Sequence, residues 1–178
     1  MMRFNFLKEQ IYEYIDRINQ IISLLEPKIV YLENEGVMMI RKLRKADAIK
    51  VADIWLNSNI KAHNFISAQY WKSNYEMVKE MLLQAEVYVY ERNGEIQGFI
   101  GLNGEYIEGI FVCEKFQSQG IGKLLLEFIK KSKASLRLHV YQKNTRAIHF
   151  YQREGFEIRD ESVDEATGEN DYVMIWQQ

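Results

Sequence analysis

The sequence predicts an α/β fold: a mixed, mostly antiparallel central sheet flanked by helices. Three observations carry that prediction. Two Asn-Gly pairs, Asn93-Gly94 and Asn103-Gly104, each separate strand-like runs. A helix-period run begins at Ile121. A further strand-like run, Ser135 to Tyr141, follows that helix, so the chain crosses over between two strands.

In chain order, residues 1–26 stand apart. Phe4, Leu7, Ile11, Tyr14, Ile18, Ile21 and Leu25 recur at steps of three and four, the stripe of an amphipathic helix that Ile15 and Ile22 widen. Pro27 ends it, because proline cannot continue the hydrogen-bond ladder. Such a helix either docks on its own domain or contacts a partner, including a second copy in a homodimer, since three heptads make a short coiled coil. Glu35-Gly36-Val37-Met38-Met39 marks a boundary between an N-terminal extension, 1–37, and a compact domain, 38–178. Codons for Glu-Gly-Val can spell a purine-rich ribosome-binding sequence, so Met38 or Met39 is a candidate start of translation.

Ile40-Arg41-Lys42-Leu43 alternates like a strand. Asp47 to Ser58 reads as a helix with Ile49, Ala52, Ile54 and Trp55 on its apolar side. After His63-Asn64-Phe65-Ile66, Ser67 suits an N-cap, its hydroxyl accepting from a first-turn amide. The helix it opens is expected to run to about Gln84, with Trp71, Tyr75, Val78, Met81 and Leu82 inward. Val87 to Tyr90, Ile96 to Leu102 and Tyr106 to Cys113 are β-rich, and the Asn-Gly pairs between them signal type I′ hairpins and a three-strand meander. Gly98, Gly101 and Gly109 inside these runs suggest bulges or close backbone approach.

Ile121, Leu124, Leu125, Phe128 and Ile129 then fall on one helical face, with Lys123, Glu127, Lys130 and Lys131 on the wet side. Leu136, Leu138 and Val140 form the inward face of the next strand. The crossover makes that strand parallel to Tyr106–Cys113, with a right-handed connection. Thr145 to Glu154 reads as a short helix closed by Gly155, and Phe156 to Ile158 and Tyr172 to Trp176 as final strands.

Composition narrows the function. The 178 residues suit one domain with an appendage, and 47% apolar residues supply a core. A formal net charge of −2 is not the basic field of a general nucleic-acid binder. No apolar run reaches the ~18 residues needed to span a bilayer. A lone cysteine, Cys113, rules out an intrachain disulfide and a thiolate zinc site, and three scattered histidines suggest no metal centre. A cytoplasmic protein is the default expectation. Cys113 is expected to pack as a small buried apolar residue.

The chemistry-bearing segment is Gln117-Ser118-Gln119-Gly120-Ile121-Gly122. It lies between a strand end and a helix start, where free amides and the positive end of the helix dipole collect anions. It is not a P-loop, since position 117 is Gln and position 124 is Leu, nor a dinucleotide fingerprint, since position 125 is Leu. On these residues alone, a glycine-rich helix entry without a ligand stays open.

Together, Ile110-Phe111-Val112, Gln117-x-x-Gly120-x-Gly122, Asn144 and Ala147-x-x-Phe150-Tyr151-x-x-x-Gly155-Phe156 resemble the GNAT superfamily of N-acetyltransferases. The match spans about 39–178 and is most specific over 110–156. It implies a sheet whose parallel pair splays apart, acetyl-CoA as cosubstrate, and direct transfer to a primary amine of a small molecule, peptide or protein. The backbone of Ile110, Phe111 and Val112 would pair with the pantetheine arm. Amides near Val112 would polarise the thioester carbonyl. The loop Gln117, Ser118, Gln119, Gly120, Ile121, Gly122 and Lys123 would hold the pyrophosphate. Asn144 would contact the cofactor at the splay, and Tyr151 would protonate the thiolate. A core role for Tyr151 beside Phe150 is the alternative. The family often places a glutamate base where this chain has His139, so the base stays open among His139, Glu108 through water, and water itself. A histidine base favours an amine of low pKa, since one near ~6.5 deprotonates a lysine near ~10.4 uphill by ~4 units.

His63 either borders the acceptor site or caps a helix. Asp160, Glu161, Asp164, Glu165, Glu169 and Asp171, with no basic residue among them, make either a solvated hairpin tip or a lure for a cationic acceptor. A non-catalytic acetyl-CoA sensor is the rival reading from another class.

Overall fold

The sheet grows from its two tight hairpins. In a computed structural model, which describes residues 29–33 and 36–178 with side chains from Met38 onward, Asn93 (φ 52°) and Gly94 (φ 78°) both take positive φ, as a type I′ turn requires. They join β3 (Glu86–Arg92) to β4 (Glu95–Asn103). The second hairpin departs from the type I′ expectation. Asn103 pairs with Tyr106, so the loop is Gly104-Glu105 and only Gly104 (φ 63°) has positive φ, which fits a type II′ turn. It leads into β5 (Tyr106–Val112) and completes the meander.

Eight described strands form one sheet. Before the meander come β1 (Ile29–Glu33) and β2 (Gly36–Lys42); after it come β6 (Ser135–Tyr141), β7 (Glu157–Val163) and β8 (Asn170–Gln177). The order is β1-β2-β3-β4-β5-β6-β8-β7, and every pair is antiparallel except β5–β6. The sheet thus reaches upstream of residue 38, because Ile29–Glu33 pairs in register with Gly36–Ile40. The expected helix over 1–26 lies outside the described residues. The final hairpin is longer than the short terminal strands expected. Asp160, Glu161 and Asp171 lie within it as strand residues.

Helices cover both faces: α1 (Ala48–Ala62), α2 (Ala68–Ser73), α3 (Tyr75–Leu82), α4 (Ile121–Lys130) and α5 (Thr145–Arg153). Ser67 caps α2, accepting from the Gln69 amide at 3.2 Å. The single helix expected to reach Gln84 is broken at Asn74, whose side-chain amide donates to the Tyr70 carbonyl at 2.8 Å. That local bond competes with helix propagation. Past the break α3 turns Val78 and Leu82 inward, and Met81, expected inside, is 58% exposed. Ile49 is also exposed at 65%, because the buried stripe of α1 runs through Ala48, Val51, Ala52 and Ile54.

Two cores result. Val51, Ala52, Ile54, Leu82, Val87, Val89 and Phe99 pack on one face under α1 and α3. Ile100, Ile107, Ile121, Leu125, Leu136, Leu138, Val140, Tyr151 and Met174 pack on the other under α4 and α5. Lys130, expected on the wet face of α4, lays its stem across the aromatics, its ammonium 4.6 Å from the Trp176 ring centre. Arg41 is 3% exposed and is held by the carboxylates of Asp47 and Glu91. Cys113 falls just past the end of β5 and is half-buried rather than fully enclosed. Among the described residues, no helix is long and apolar enough to cross a membrane.

Candidate active site

The site begins where the parallel pair fails to stay together. β5 and β6 run side by side, but only Tyr106 and Arg137 are paired. Beyond them β5 has β4 on one edge, with Gly98 opposite Val112 and Ile100 opposite Ile110, and no strand on the other. Ile110, Phe111 and Val112 therefore line an open edge. Gly98 lets β4 close on β5, since a Cβ there would sit 2.8 Å from the Phe111 carbonyl oxygen. Tyr106 stands at the paired end of the opening, its ring centre 5.9 Å from that of His139.

The loop after β5 leads to the start of α4. Gly120, at the N-cap, has φ 83°, and no side chain caps the helix. The first intrahelical bond runs from the Leu124 amide to the Gly120 carbonyl at 3.0 Å. The earlier amides of Ile121, Gly122 and Lys123 have no place in that ladder and suit an anion. Ser118 takes positive φ (62°), turning the backbone before the glycine. The Gln117 side chain donates to the Val112 carbonyl at 3.0 Å, tying loop to strand, and Gln119 donates to the Lys115 carbonyl at 3.2 Å. The exposed Lys123 ammonium lies 3.7 Å from Glu127.

Arg146, on the first turn of α5, was absent from the sequence candidates. It donates to Gln117 Oε1 at 2.8 Å and Ser118 Oγ at 3.3 Å. It brings a fixed positive charge to the loop, 28 residues away in sequence from Ser118. Its one sequence signal is its place two residues after Asn144. A cleft of about 480 Å³ between α1 and the loop is lined by Lys50, Lys61, Cys113 and Gln117 among others. The free amides, the open β5 edge and these cations together fit the pyrophosphate and amide arm of acetyl-CoA.

Tyr151 and His139 lie on opposite faces of the sheet at this opening. Tyr151, 7% exposed on α5, belongs to the core under α4 and α5. Burial, with a smaller effect from Tyr106, pushes its pKa well above the usual phenol value. His139 alternates with the inward Leu138 and Val140, so it projects from the other face, its side chain 41% exposed. Its ring centre is 5.9 Å from that of Tyr106. Its Nδ1–H donates to Asp171 Oδ2 at 3.0 Å, and Asp171 is 5% exposed. Ser162 donates to the other oxygen of Asp171 and lies 3.3 Å from Nδ1. Burial raises the pKa of Tyr106 as well, followed by the charges of Glu108 and Asp171. Glu108 itself is exposed on β5.

Asn144 caps α5, accepting from the Ala147 amide at 3.2 Å. Its Nδ2–H then donates to His63 Nε2 at 3.0 Å. His63 follows the last residue of α1 at its C-cap, its backbone amide donating to the Asn59 carbonyl, and its ring touches Asn144. Rings of Phe65, Trp71 and Tyr141 surround it, the last at 5.0 Å. Burial lowers its pKa to about 4, so it is neutral at pH 7. Its Nδ1 is buried and unpaired, as is Nε1 of Trp71. Three acidic residues of the last hairpin have separate partners. Asp164 accepts from the Tyr141 hydroxyl, Glu169 pairs with Lys143, and Asp171 serves His139.

Comparison with known proteins points the same way. A sequence model of the acetyltransferase (GNAT) domain matches residues 84–158. The peptidyl-lysine N-acetyltransferase YiaC of Escherichia coli (strain K12) is 34% identical over 140 residues, covering 78% of this chain and 96% of YiaC. The peptidyl-lysine N-acetyltransferase YjaB of Salmonella typhimurium is 32% identical over 124 residues, covering 69% of this chain and 86% of YjaB. The solution structure of apo-form YjaB from Escherichia coli superposes with a TM-score of 0.71 at 25% identity, covering 78% of this chain and 97% of that one. A GCN5-related N-acetyltransferase structure from Rhodopseudomonas palustris shares the fold, with a TM-score of 0.69 at 15% identity over 83% of this chain and 99% of that one.

Proposed function

We propose a reaction for this chain, which belongs to the GNAT family of acetyltransferases and uses acetyl-CoA as its cosubstrate: a primary amine attacks the thioester directly, with the ε-amine of a peptidyl lysine as the foremost acceptor. The observation that carries this reading is the opening between β5 and β6, with a phenol on one face and an imidazole on the other. Donor and acceptor then meet through the sheet rather than on one side of it. The lysine class rests on the activity named for the two curated relatives.

In this reading the amides of Ser118, Gln119, Gly120, Ile121, Gly122 and Lys123 hold the pyrophosphate, with Arg146 supplying charge. The open edge at Ile110, Phe111 and Val112 aligns the amide arm, and an amide near Val112 polarises the carbonyl. The C–N bond forms as the C–S bond breaks. His139 Nε2 takes a proton from the attacking amine, and the Tyr151 hydroxyl gives one to the departing thiolate. The raised pKa of Tyr151 keeps it protonated and ready to donate. A phenol of ordinary pKa would work uphill by ~1.5 units against a thiolate near ~8.5. Burial steepens that step for the phenol, and the same dry surroundings raise the thiolate's pKa as well. Residues 38–178 hold all of these groups, on a sheet whose described strands begin at Ile29.

Tyr151→Phe tests the reading. Its kcat on a lysine peptide should fall about 100-fold while the KM for acetyl-CoA stays within about twofold. Turnover equal to wild type would remove Tyr151 from the mechanism.

A further inference from the structure

From the geometry around His139 we infer that Asp171, supported by Ser162, is a positioning residue that fixes the imidazole tautomer and so leaves Nε2 as the base. This inference rests on the proposed amine-transfer reaction. Sheet register builds the arrangement. Tyr141, Asp171 and Ser162 stand directly opposite one another across β6, β8 and β7. His139, two residues before Tyr141, points to the same face and reaches Asp171 along the diagonal.

A carboxylate only accepts, so the hydrogen on the ring must sit on Nδ1, where it donates to Asp171 Oδ2 at 3.0 Å. With Nδ1 aimed at Asp171 of β8, Nε2 lies on the far side of the ring, and the Tyr106 ring of β5 is 5.9 Å away between centres. Ser162 keeps the other carboxylate oxygen occupied, which holds Asp171 in one rotamer. The carboxylate also lies beside the positive charge the ring gains as it takes a proton, an interaction buried on the Asp171 side and open to water on the 41% exposed imidazole side. By strand alternation and register, the charged and titratable groups on the face of the ring include Tyr106 and Glu108 on β5, Asp171 on β8, Asp160 on β7, and Arg137 and Tyr141 on β6 itself.

The other histidines do not offer this. His63 uses its Nε2 to accept from Asn144, and His149 is exposed on α5, away from this face.

The test uses the full chain with acetyl-CoA, a lysine peptide, and an amine of lower pKa. Asp171→Asn can donate to Nδ1 and force the opposite tautomer. Long-range proton–nitrogen NMR of the His139 ring should show Nδ1–H in wild type and Nε2–H in this variant. Its kcat on the lysine peptide should fall about 100-fold or more, the loss should be smaller on the less basic amine, and the KM for acetyl-CoA should stay within about twofold. Ser162→Ala should lose roughly 3- to 10-fold with the same dependence on the amine. In a His139→Gln background, Asp171→Asn should cost nothing further. If His139→Gln is inactive but Asp171→Asn keeps the wild-type kcat and tautomer, the inference is overturned. If His139→Gln itself turns over like wild type, the base assignment beneath it fails and takes the inference with it. Should Asp171→Asn not fold, Ser162→Ala decides: a loss that tracks the amine supports the pair, and wild-type kcat overturns it.

Discussion

Individual side chains reveal their roles here through what surrounds them. His63 is enclosed by rings, and burial lowers its pKa from 6.5 to about 4. The unfolded chain takes up a proton below about 6.5 that the folded protein refuses until about 4, so stability is full above 6.5 and falls as pH drops through that window. The drop corresponds to at most about 3 kcal/mol, and partial exposure reduces it to about 2. His63→Gln, which keeps an acceptor for Asn144, should flatten the fall in melting temperature between pH 6.5 and 4; an unchanged slope would assign that fall to other groups. Arg41 presents the opposite case, a charge kept buried by two carboxylates. Arg41→Met would leave Asp47 and Glu91 facing each other without compensation. Denaturant unfolding should register a loss of about 3–5 kcal/mol, and a loss under 1 kcal/mol would show that the carboxylates find water instead.

At the scale of elements, the start of α4 and the edge of β5 matter most. Gly120 holds the left-handed conformation that turns the chain into α4, and a Cβ there would meet nothing within 4 Å. Gly120→Ala therefore costs conformational energy alone, about 1–2 kcal/mol, or roughly 2–8 °C in melting temperature for a chain of this size. It should also raise the KM for acetyl-CoA, because relieving the strain moves the amides that follow. An unaltered KM alongside the lower melting temperature would uncouple the turn from cofactor binding. Much at this scale was legible in advance. The Asn-Gly pairs announced the meander, and the spacing of Ile121, Leu125 and Phe128 announced α4. The break at Asn74 was not, because the periodicity of Trp71, Tyr75, Val78 and Leu82 runs straight through it. One side-chain bond to a backbone carbonyl decided the matter, and such competition leaves no mark on a hydrophobic pattern.

At the scale of the whole sheet, the described strands form a partition that opens between β5 and β6. Filling that opening should stabilise the fold by mass action. Acetyl-CoA at 100 times its Kd should add about 2.7 kcal/mol and raise the melting temperature by roughly 5–10 °C. No shift with saturating acetyl-CoA would contradict the placement of the cofactor at this splay.

The sequence by itself determined the classes of element, the crossover that makes β5 and β6 parallel, and the place of the glycine loop Gln117–Gly122 between a strand end and a helix start. These follow from local rules, turn chemistry and periodicity, that act within a few residues. Tertiary structure alone decided which groups meet. Asp171 read as one of six acids in a polar hairpin until register set it opposite Tyr141 and beside His139. Arg146 read as a helix residue until α5 docked against the loop. His63 read as a linker residue until the packing of α1 and α2 closed rings around it. Contacts between residues far apart in the chain depend on strand register and helix docking, and those are set by the sum of many burials rather than by any single motif.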